Sequence, residues 1–172
     1  VVDGQKNASR KILHTFLEKN IRTEINVSQL GSKVAEFSEY LHGNLDGVIV
    51  GLAQDYAGTN NIPLLVREGN FGTRFAHDAS AARYIYTNGS KDFFELFNKD
   101  DVPVLKSQFF EGHQIEPMFY VPNLPILLVN GSEGVSSGFA QKILPRDKEK
   151  IKNYINSFLS GSNSRYKFEP YY

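Results

Sequence analysis

The spacing of apolar residues changes near residue 60, and this change limits the folds that the sequence can adopt. Before that point apolar residues recur at helical intervals in three segments, which follow Ser9 and Ser28 and then run from Leu45 to Tyr56. After Pro63, the run LLV, the glycine-containing EGNFGTR and ARYIYT are typical of strand, loop and strand. Three short helices followed by a hairpin are the order of a winged helix, whose later helix can enter a DNA groove.

The second half of the chain predicts a more sheet-like unit. From Asp100 onward, short apolar runs interrupted by prolines, VPVLKSQFF and MFYVPNLPILLVNG, are typical of strands. The segment DKEKIKNYINSFLSG then predicts a helix that Gly161 ends. Its apolar face carries Ile151, Tyr154, Ile155, Phe158 and Leu159. We therefore predict an α+β fold, with a winged-helix domain over residues 1–100 and a separate sheet-rich segment over residues 101–172.

The charge of the whole chain does not indicate a polyanionic partner. The 172 residues include 19 Lys and Arg and 19 Asp and Glu, so the net charge is zero. Any DNA contact must therefore come from the placement of charges. The sequence has neither an apolar run long enough to cross a bilayer nor an opening signal-peptide pattern, so we expect an intracellular protein without a membrane partner.

Common cofactor motifs are missing from the sequence. The chain has no cysteine, which excludes disulfides and Cys-ligated zinc. The glycines of GNFG and VNGSEGVSSG fit neither the P-loop nor the dinucleotide-binding fingerprint. Asp100 and Asp101 would point apart on a strand, and no Asp-x-Asp with a distant Glu follows. We therefore predict that this chain itself binds no metal.

Tyr84 in the string SAARYIYTN has two possible roles. On a strand, Tyr84 and Tyr86 would share one face and Arg83 the other, so the tyrosine pair could simply be core. A phenol ionises only near about pH 10 and becomes an effective nucleophile when a base, cations or a metal favour the phenolate. The string by itself favours the structural role, and cationic neighbours would favour the chemical one.

Cations and a histidine near the helix ends could supply such neighbours. Lys6, Arg10 and Lys11 lie at the start of the first helix, where free N–H groups and the helix dipole favour an anion. His42, in the break after the second helix, could donate to a phosphate or accept a proton. The alternatives are a solvated helix end and a merely exposed histidine.

Five strings in order resemble the motifs of one enzyme family: DGQKNASRK, YLHGN, NIPLLVREGNFGTR, SAARYIYT and LPILLVNGSEGVSSG. They are similar to the breakage-reunion region of type IIA DNA topoisomerases, which includes gyrase A, topoisomerase IV, eukaryotic topoisomerase II and the phage medium subunit. The resemblance covers residues 1 to about 145 and is strongest to the eukaryotic and phage enzymes. It implies that the second half begins the sheet-rich unit called the tower.

By this resemblance, Tyr84 is the nucleophile that forms a transient 5′-phosphotyrosyl link, while Arg83, Arg10 and His42 meet the charge on the phosphate. Other residues are expected to bind DNA without taking part in the reaction. Lys6, Lys11, Asn70 and Arg74 are expected to contact DNA, and Val135 occupies the place of an isoleucine that wedges between bases. Asn7 departs from the family pattern, which usually has proline there.

The resemblance also implies partners and cofactors. We expect double-stranded DNA and a homodimeric parent enzyme, with Mg²⁺ on a toprim domain and ATP on an ATPase domain, both outside this chain. Double-strand passage would depend on ATP, and this chain alone is expected not to cleave DNA. The expected compartment is the cytoplasm or nucleoid, the host cytoplasm for a phage, or the nucleus for a eukaryote. The alternatives are a non-enzymatic winged-helix DNA-binding module and a protein-interaction fragment.

Overall fold

Three helices open the fold, as the spacing of apolar residues predicted. The computed structural model describes residues 2–40, 43–162 and 165–172. Helix α1 spans Asn7–Glu18, α2 spans Val27–Ser38 and α3 spans Asp46–Ala53. The N-caps are Lys6 and Asn26, so Ser9 and Ser28 lie inside the first turns of α1 and α2. Asn26 can cap α2 because its side chain accepts hydrogen bonds from Ser28 N and Gln29 N, at 3.1 and 3.4 Å.

A small antiparallel sheet packs against these helices. Its strand order is β1–β3–β2, with β1 at Ile25–Asn26, β2 at Leu65–Glu68 and β3 at Tyr86–Gly89. Strands β2 and β3 pair from Leu65↔Gly89 to Glu68↔Tyr86, so residues 69–85 connect their ends. The helix trio followed by paired strands has the element order predicted for a winged helix.

Two further hairpins, three α-helices and a 3-10 helix follow in the described part of the chain. Helix α4 spans Lys91–Leu96, and a 3-10 helix at Lys99–Val104 follows. The first hairpin joins β4 (Ser107–Phe110) and β5 (His113–Pro117), and the second joins β6 (Ser132–Ser136) and β7 (Phe139–Ile143). Helix α5 lies between the hairpins at Ile126–Val129, and α6 follows at Lys148–Leu159. The mixture of helices and antiparallel strands confirms the α+β class.

Some local predictions in the second half were wrong. MFYVPNLPILLV is not a strand: it is irregular chain up to Pro125, which is the N-cap of α5. Proline offers no N–H to a strand ladder, but it suits the start of a helix, where the first N–H groups lack helical partners. The predicted apolar face of α6 is buried only in part. Ile151 is buried, whereas Phe158 and Leu159 are exposed.

One hydrophobic core includes residues from both halves. Phe16 and Phe93 are buried in this core together with Tyr120, Val129 and Ile151. Across the predicted boundary at residue 100, the Phe97 ring meets the Tyr120 ring edge-on with centroids 5.8 Å apart. The division into units 1–100 and 101–172 stays a prediction, and the two halves share their core. Among the described residues, no helix has the length and apolarity needed to cross a bilayer.

Candidate functional site

Tyr84 lies at the end of a short 3-10 turn, Ala82–Tyr84, rather than on the predicted strand. The turn closes through a hydrogen bond from Tyr84 N to Ala81 O of 2.9 Å. The side chain of Tyr84 is 67% exposed, whereas the next residue, Ile85, is buried. Burial of Ile85 fixes the backbone, and the turn before it directs the tyrosine outward. The phenol is therefore held on a fixed surface and is not part of a core.

Asn26 anchors the backbone on both sides of this tyrosine. Its amide Nδ2 donates to Arg83 O at 2.9 Å and to Ile85 O at 3.4 Å, while its Oδ1 caps α2. The backbone N–H of Val27 donates to Ile85 O as well, at 3.0 Å. The sequence pattern did not identify Asn26 as a positioning residue. The available signal was an asparagine just before a helical segment, which is a common N-cap pattern.

Arg83 supplies a cation directly beside the phenol. Its guanidinium carbon lies 4.9 Å from the centroid of the Tyr84 ring, and the side chain is exposed. A guanidinium over an aromatic face is attracted to the π electrons and keeps a defined position. Arg83 and Tyr84 thus present a positive group and a hydroxyl together at the surface, an arrangement suited to binding a phosphate next to the phenol.

Arg10 is buried in an ion pair, which the sequence did not predict. Its Nε donates to Asp3 Oδ2 at 2.7 Å and its Nη2 donates to Asp3 Oδ1 at 3.2 Å. Nη2 also donates to Gln5 O, and Nη1 donates to Asn7 Oδ1. These bonds use four of the five N–H donors of a guanidinium. Arg10 therefore holds the segment before α1 in place, and most of its donors are occupied.

The Asp3 carboxylate is fully buried and stays ionised. Burial by itself would raise the pKa of Asp3, but hydrogen bonds from Arg10, Tyr120 N and Gln5 N outweigh this effect and lower the pKa below its ordinary value. Because Tyr120 belongs to the second half, Asp3 links Arg10 to both halves of the chain.

The three cations at the start of α1 do not form the single cluster that their spacing suggested. The Lys11 ammonium lies 2.9 Å from Glu116 Oε2 and donates to Ser38 O at 2.7 Å, in a largely buried position. Arg10 is buried as well, and Lys6 is exposed at the N-cap. The helix is buried along most of its length, so Arg10 and Lys11 face protein carboxylates. Of these three cations, Lys6 is the one open to a solvent-borne phosphate.

Asn70 and Arg74 lie in an ordered loop between β2 and the Tyr84 turn. Both are exposed. The Asn70 carbonyl accepts from Ser80 N at 3.0 Å, which closes the base of the loop, and His77 contacts the Arg74 carbonyl at 2.8 Å through a ring nitrogen. The preceding Gly69 packs against Ile85, where a Cβ would approach Cγ2 of Ile85 to 2.9 Å. The loop is thus attached directly behind the tyrosine turn.

Val135 and Lys6 line the same cavity, which has a volume of about 540 Å³. One wall is the segment Gly4–Lys6 with Leu127, and the other is the hairpin β6–β7. The Val135 side chain is 85% exposed. The structure therefore brings an exposed ammonium and an exposed apolar side chain to one opening, although they are 129 positions apart in the sequence (135 − 6).

His14 and Tyr120 form a second buried contact between the halves, with Nδ1 and the hydroxyl oxygen 2.6 Å apart. Burial, together with the positive charge of Lys11, lowers the pKa of His14 to about 4. Burial and the nearby Glu18 and Glu116 raise the pKa of Tyr120 above its ordinary value. At neutral pH the imidazole is therefore uncharged, and its Nδ1 accepts a hydrogen bond from the Tyr120 hydroxyl.

Acid will destabilise the fold through His14. The unfolded imidazole binds a proton at its ordinary pKa of 6.5, whereas the folded one does so only near pH 4. The contribution of His14 to stability is complete above pH 6.5, declines as the pH falls, and is lost at about pH 4. The free energy of unfolding should fall by about 3 kcal/mol over this range. Urea unfolding across this range will show the decline, and His14→Gln will flatten it. The exposed His113 provides the control, since His113→Gln should keep the wild-type slope.

Two other predictions concern His42 and a metal site. His42 lies outside the described residues, so its predicted contact with the phosphate stays a prediction. Within the described ranges, no group of three or more His, Asp or Glu side chains is arranged to hold a metal ion.

The whole chain, residues 1–172, matches the family model for the A subunit of DNA gyrase/topoisomerase IV. DNA topoisomerase 2 of Drosophila melanogaster is 39% identical over 94% of this chain, and that of Saccharomyces cerevisiae is 43% identical over 89%. The chain spans 11% of the length of each of these relatives.

A solved structure also resembles this one closely. It is the DNA-binding, cleavage and re-ligation domain of Plasmodium falciparum topoisomerase II, with a TM-score of 0.94 and 36% sequence identity. The similarity covers 99% of this chain and 24% of the other.

Proposed function

Since the chain belongs to the family of DNA gyrase/topoisomerase IV A subunits, we propose that it is the part of a type IIA DNA topoisomerase that cleaves and rejoins DNA through Tyr84. The observation that carries this proposal is the position of the tyrosine. Its phenol is 67% exposed on a turn that Asn26 anchors, with the guanidinium of Arg83 beside the ring. A nucleophile has to be open to a phosphate and fixed in direction, and the Tyr84 phenol meets both conditions.

The proposed reaction is a transesterification. The Tyr84 oxygen attacks the phosphorus in line and loses its proton, an O–P bond forms, and the bond from phosphorus to the 3′ oxygen breaks. The leaving 3′ oxygen takes up a proton, and the 5′ phosphate stays on the tyrosine. One phosphoester replaces another, so the energy needed for religation is retained. The reverse attack by the 3′ hydroxyl restores the DNA and the free tyrosine.

Arg83 would stabilise the charge that develops on the phosphate oxygens. Removing one such donor typically lowers a rate by about 10²–10³-fold. Arg10 is assigned the same role by the sequence match, but it is buried and four of its five N–H donors are engaged, so a phosphate contact through the remaining N–H on Nη1 would require this site to open. His42, which matches the family's histidine, is proposed as a third donor on the strength of the sequence match.

Other proposed contacts bind the DNA without taking part in the chemistry. Lys6, Asn70 and Arg74 are exposed and available for phosphates, which fix the register of the duplex without reading bases. Val135 is proposed to insert between bases and bend the duplex. Lys11 was assigned to this group from the sequence, but its ammonium is engaged with Glu116 and Ser38, so DNA contact would require that ion pair to open.

The parent enzyme is proposed to act as a homodimer with two such tyrosines, and to couple strand passage to ATP. Mg²⁺ and ATP would bind to toprim and ATPase domains outside residues 1–172, and the metal would supply positive charge to the scissile phosphate. The residues of this chain would position the nucleophile and hold the neighbouring DNA. The proposed compartment is the one that contains the DNA of the cell or virus.

Trapping the covalent intermediate tests this proposal. The full-length enzyme is incubated with end-labelled duplex DNA and Mg²⁺, denatured rapidly and digested with protease. We expect a phosphotyrosyl peptide that contains Tyr84 and is linked to a DNA 5′ end. A link to another residue, or to the 3′ end, would refute the assignment.

A further inference from the structure

The β6–β7 hairpin exposes two apolar side chains next to its turn. Val135 is 85% exposed and Phe139 is 81% exposed. The sequence motifs pointed to Val135 but not to Phe139, which follows the turn on the neighbouring strand. Large apolar side chains are unfavourable in water, and two of them near the turn of one hairpin indicate a binding surface.

The hairpin is built to hold these side chains in position. Its register runs regularly from Ser132↔Ile143 to Ser136↔Phe139, and residues 137–138 form the turn. At its base, the Asn130 side chain bonds Ile62 N and Ile62 O, each at 2.8 Å. Gly131 packs so closely on the carbonyl of Ile143 that a Cβ could not be accommodated there. The tip is therefore carried on a regular ribbon that is fixed at its base.

The register places Val135 and Phe139 on opposite faces of the ribbon. Val135 pairs with Ala140, and Phe139 pairs with Ser136, so consecutive positions alternate between faces. Both residues line the cavity of about 540 Å³ whose other wall carries Lys6. A ribbon that enters a groove edge-on would bring both apolar side chains to neighbouring bases, with the Lys6 ammonium on the side of the phosphates.

We propose that Phe139 is a second DNA-inserting residue, and that it provides more of the wedge than Val135. This inference rests on the proposed function and names duplex DNA as the occupant of the hairpin tip. Phenylalanine is among the side chains that proteins insert between base steps, and its ring offers a flat face for stacking that valine lacks. Lys6 on the opposite wall supplies the charge complementary to the DNA backbone. The larger ring compensates for the small valine at position 135.

The test measures DNA bending without cleavage. The full-length enzyme carrying Tyr84→Phe is mixed with a duplex that has a donor and an acceptor dye at its ends and 2-aminopurine at the central step. Phe139→Ala, Val135→Ala and the double variant are compared with Phe109→Ala. Phe109 is the matched control, because it is 68% exposed on the other hairpin, β4–β5.

We expect Phe139→Ala to reduce both the energy transfer and the 2-aminopurine signal, and to weaken duplex affinity about fivefold or more. Val135→Ala should have a smaller effect, and Phe109→Ala none. Phe139→Leu should keep part of the bending but lose most of the 2-aminopurine signal, because leucine has no flat face for stacking. A mismatch at the central step of the duplex should raise the affinity of the Phe139→Ala variant towards the wild-type value, because a mismatched step costs less to unstack.

Bending by Phe139→Ala equal to that of Phe109→Ala would overturn the inference. Circular dichroism of each variant shows whether the fold is intact, and Phe139→Leu decides the case if the alanine variant is unfolded. Cleavage is measured separately in enzyme with Tyr84 present. An enzyme that forms the Tyr84 adduct but bends DNA without Phe139 refutes only this inference. An enzyme that bends DNA through Phe139 but forms no adduct refutes only the proposed nucleophile.

Discussion

Tyr84→Phe will lower the rate of DNA cleavage by the full-length enzyme by at least about 10⁴-fold, because it removes the oxygen that attacks the phosphorus. Duplex affinity should stay within about twofold of the wild-type value, since binding comes mainly from contacts with phosphates. The ring, its place beside Arg83 and the turn that carries it are all kept in this variant. Covalent adduct yield and duplex affinity, measured on the same preparation, separate the loss of chemistry from a loss of binding.

Tyr86→Phe is the matched control for this prediction. Tyr86 lies two residues further along, on β3, and is 45% exposed. It pairs with Asn26 on one side and Glu68 on the other, so its backbone position is equally well fixed. Cleavage that survives in Tyr84→Phe would exclude Tyr84 as the nucleophile. In that case the nucleophile would be another residue of the full-length enzyme, which would favour the alternative that this chain is a non-enzymatic winged-helix module that binds DNA.

Asp3→Ala will destabilise the fold by about 3–5 kcal/mol, because it leaves the Arg10 guanidinium buried without a counter-charge. Asp3 is completely buried, and both of its oxygens accept hydrogen bonds from Arg10. It also accepts from the backbone of Tyr120 at 3.0 Å, so its loss loosens the contact between the two halves. Urea unfolding followed by circular dichroism measures the change in the free energy of unfolding.

The control for Asp3 is an exposed ion pair. Lys91 Nζ and Glu95 Oε1 lie 3.6 Å apart, with side chains that are 86% and 62% exposed. Glu95→Ala should change stability by less than about 0.5 kcal/mol. A similarly small effect of Asp3→Ala would show that the buried pair is dispensable. Because hydrogen bonds lower the pKa of Asp3, its contribution to stability is complete above the ordinary pKa of 3.8 and declines as the pH falls below that value.

Local sequence patterns were enough to locate four of the α-helices, but not the short helix α5. The spacing of apolar residues predicted α1, α2 and α3, and the final segment predicted α6 with Gly161 after its end. Glycine suits that position because the backbone φ there is +87°. The string ARYIYT was less informative. Its second half forms β3, whereas its first half forms a 3-10 turn, because Asn26 bonds the carbonyls of Arg83 and Ile85.

The sequence alone determined helices α1, α2, α3 and α6 and the family to which the motifs belong, since both depend on residues close together in the chain. Only the tertiary structure decided which cations are available. Lys6, Arg10 and Lys11 look equivalent in the sequence, yet Arg10 faces Asp3 and Lys11 faces Glu116, 105 positions away. Spacing along one helix says which residues share a face, but not what that face meets. The outward position of Tyr84 was decided in the same way, because it depends on Asn26, which is 57 residues from the carbonyl of Arg83 that it holds.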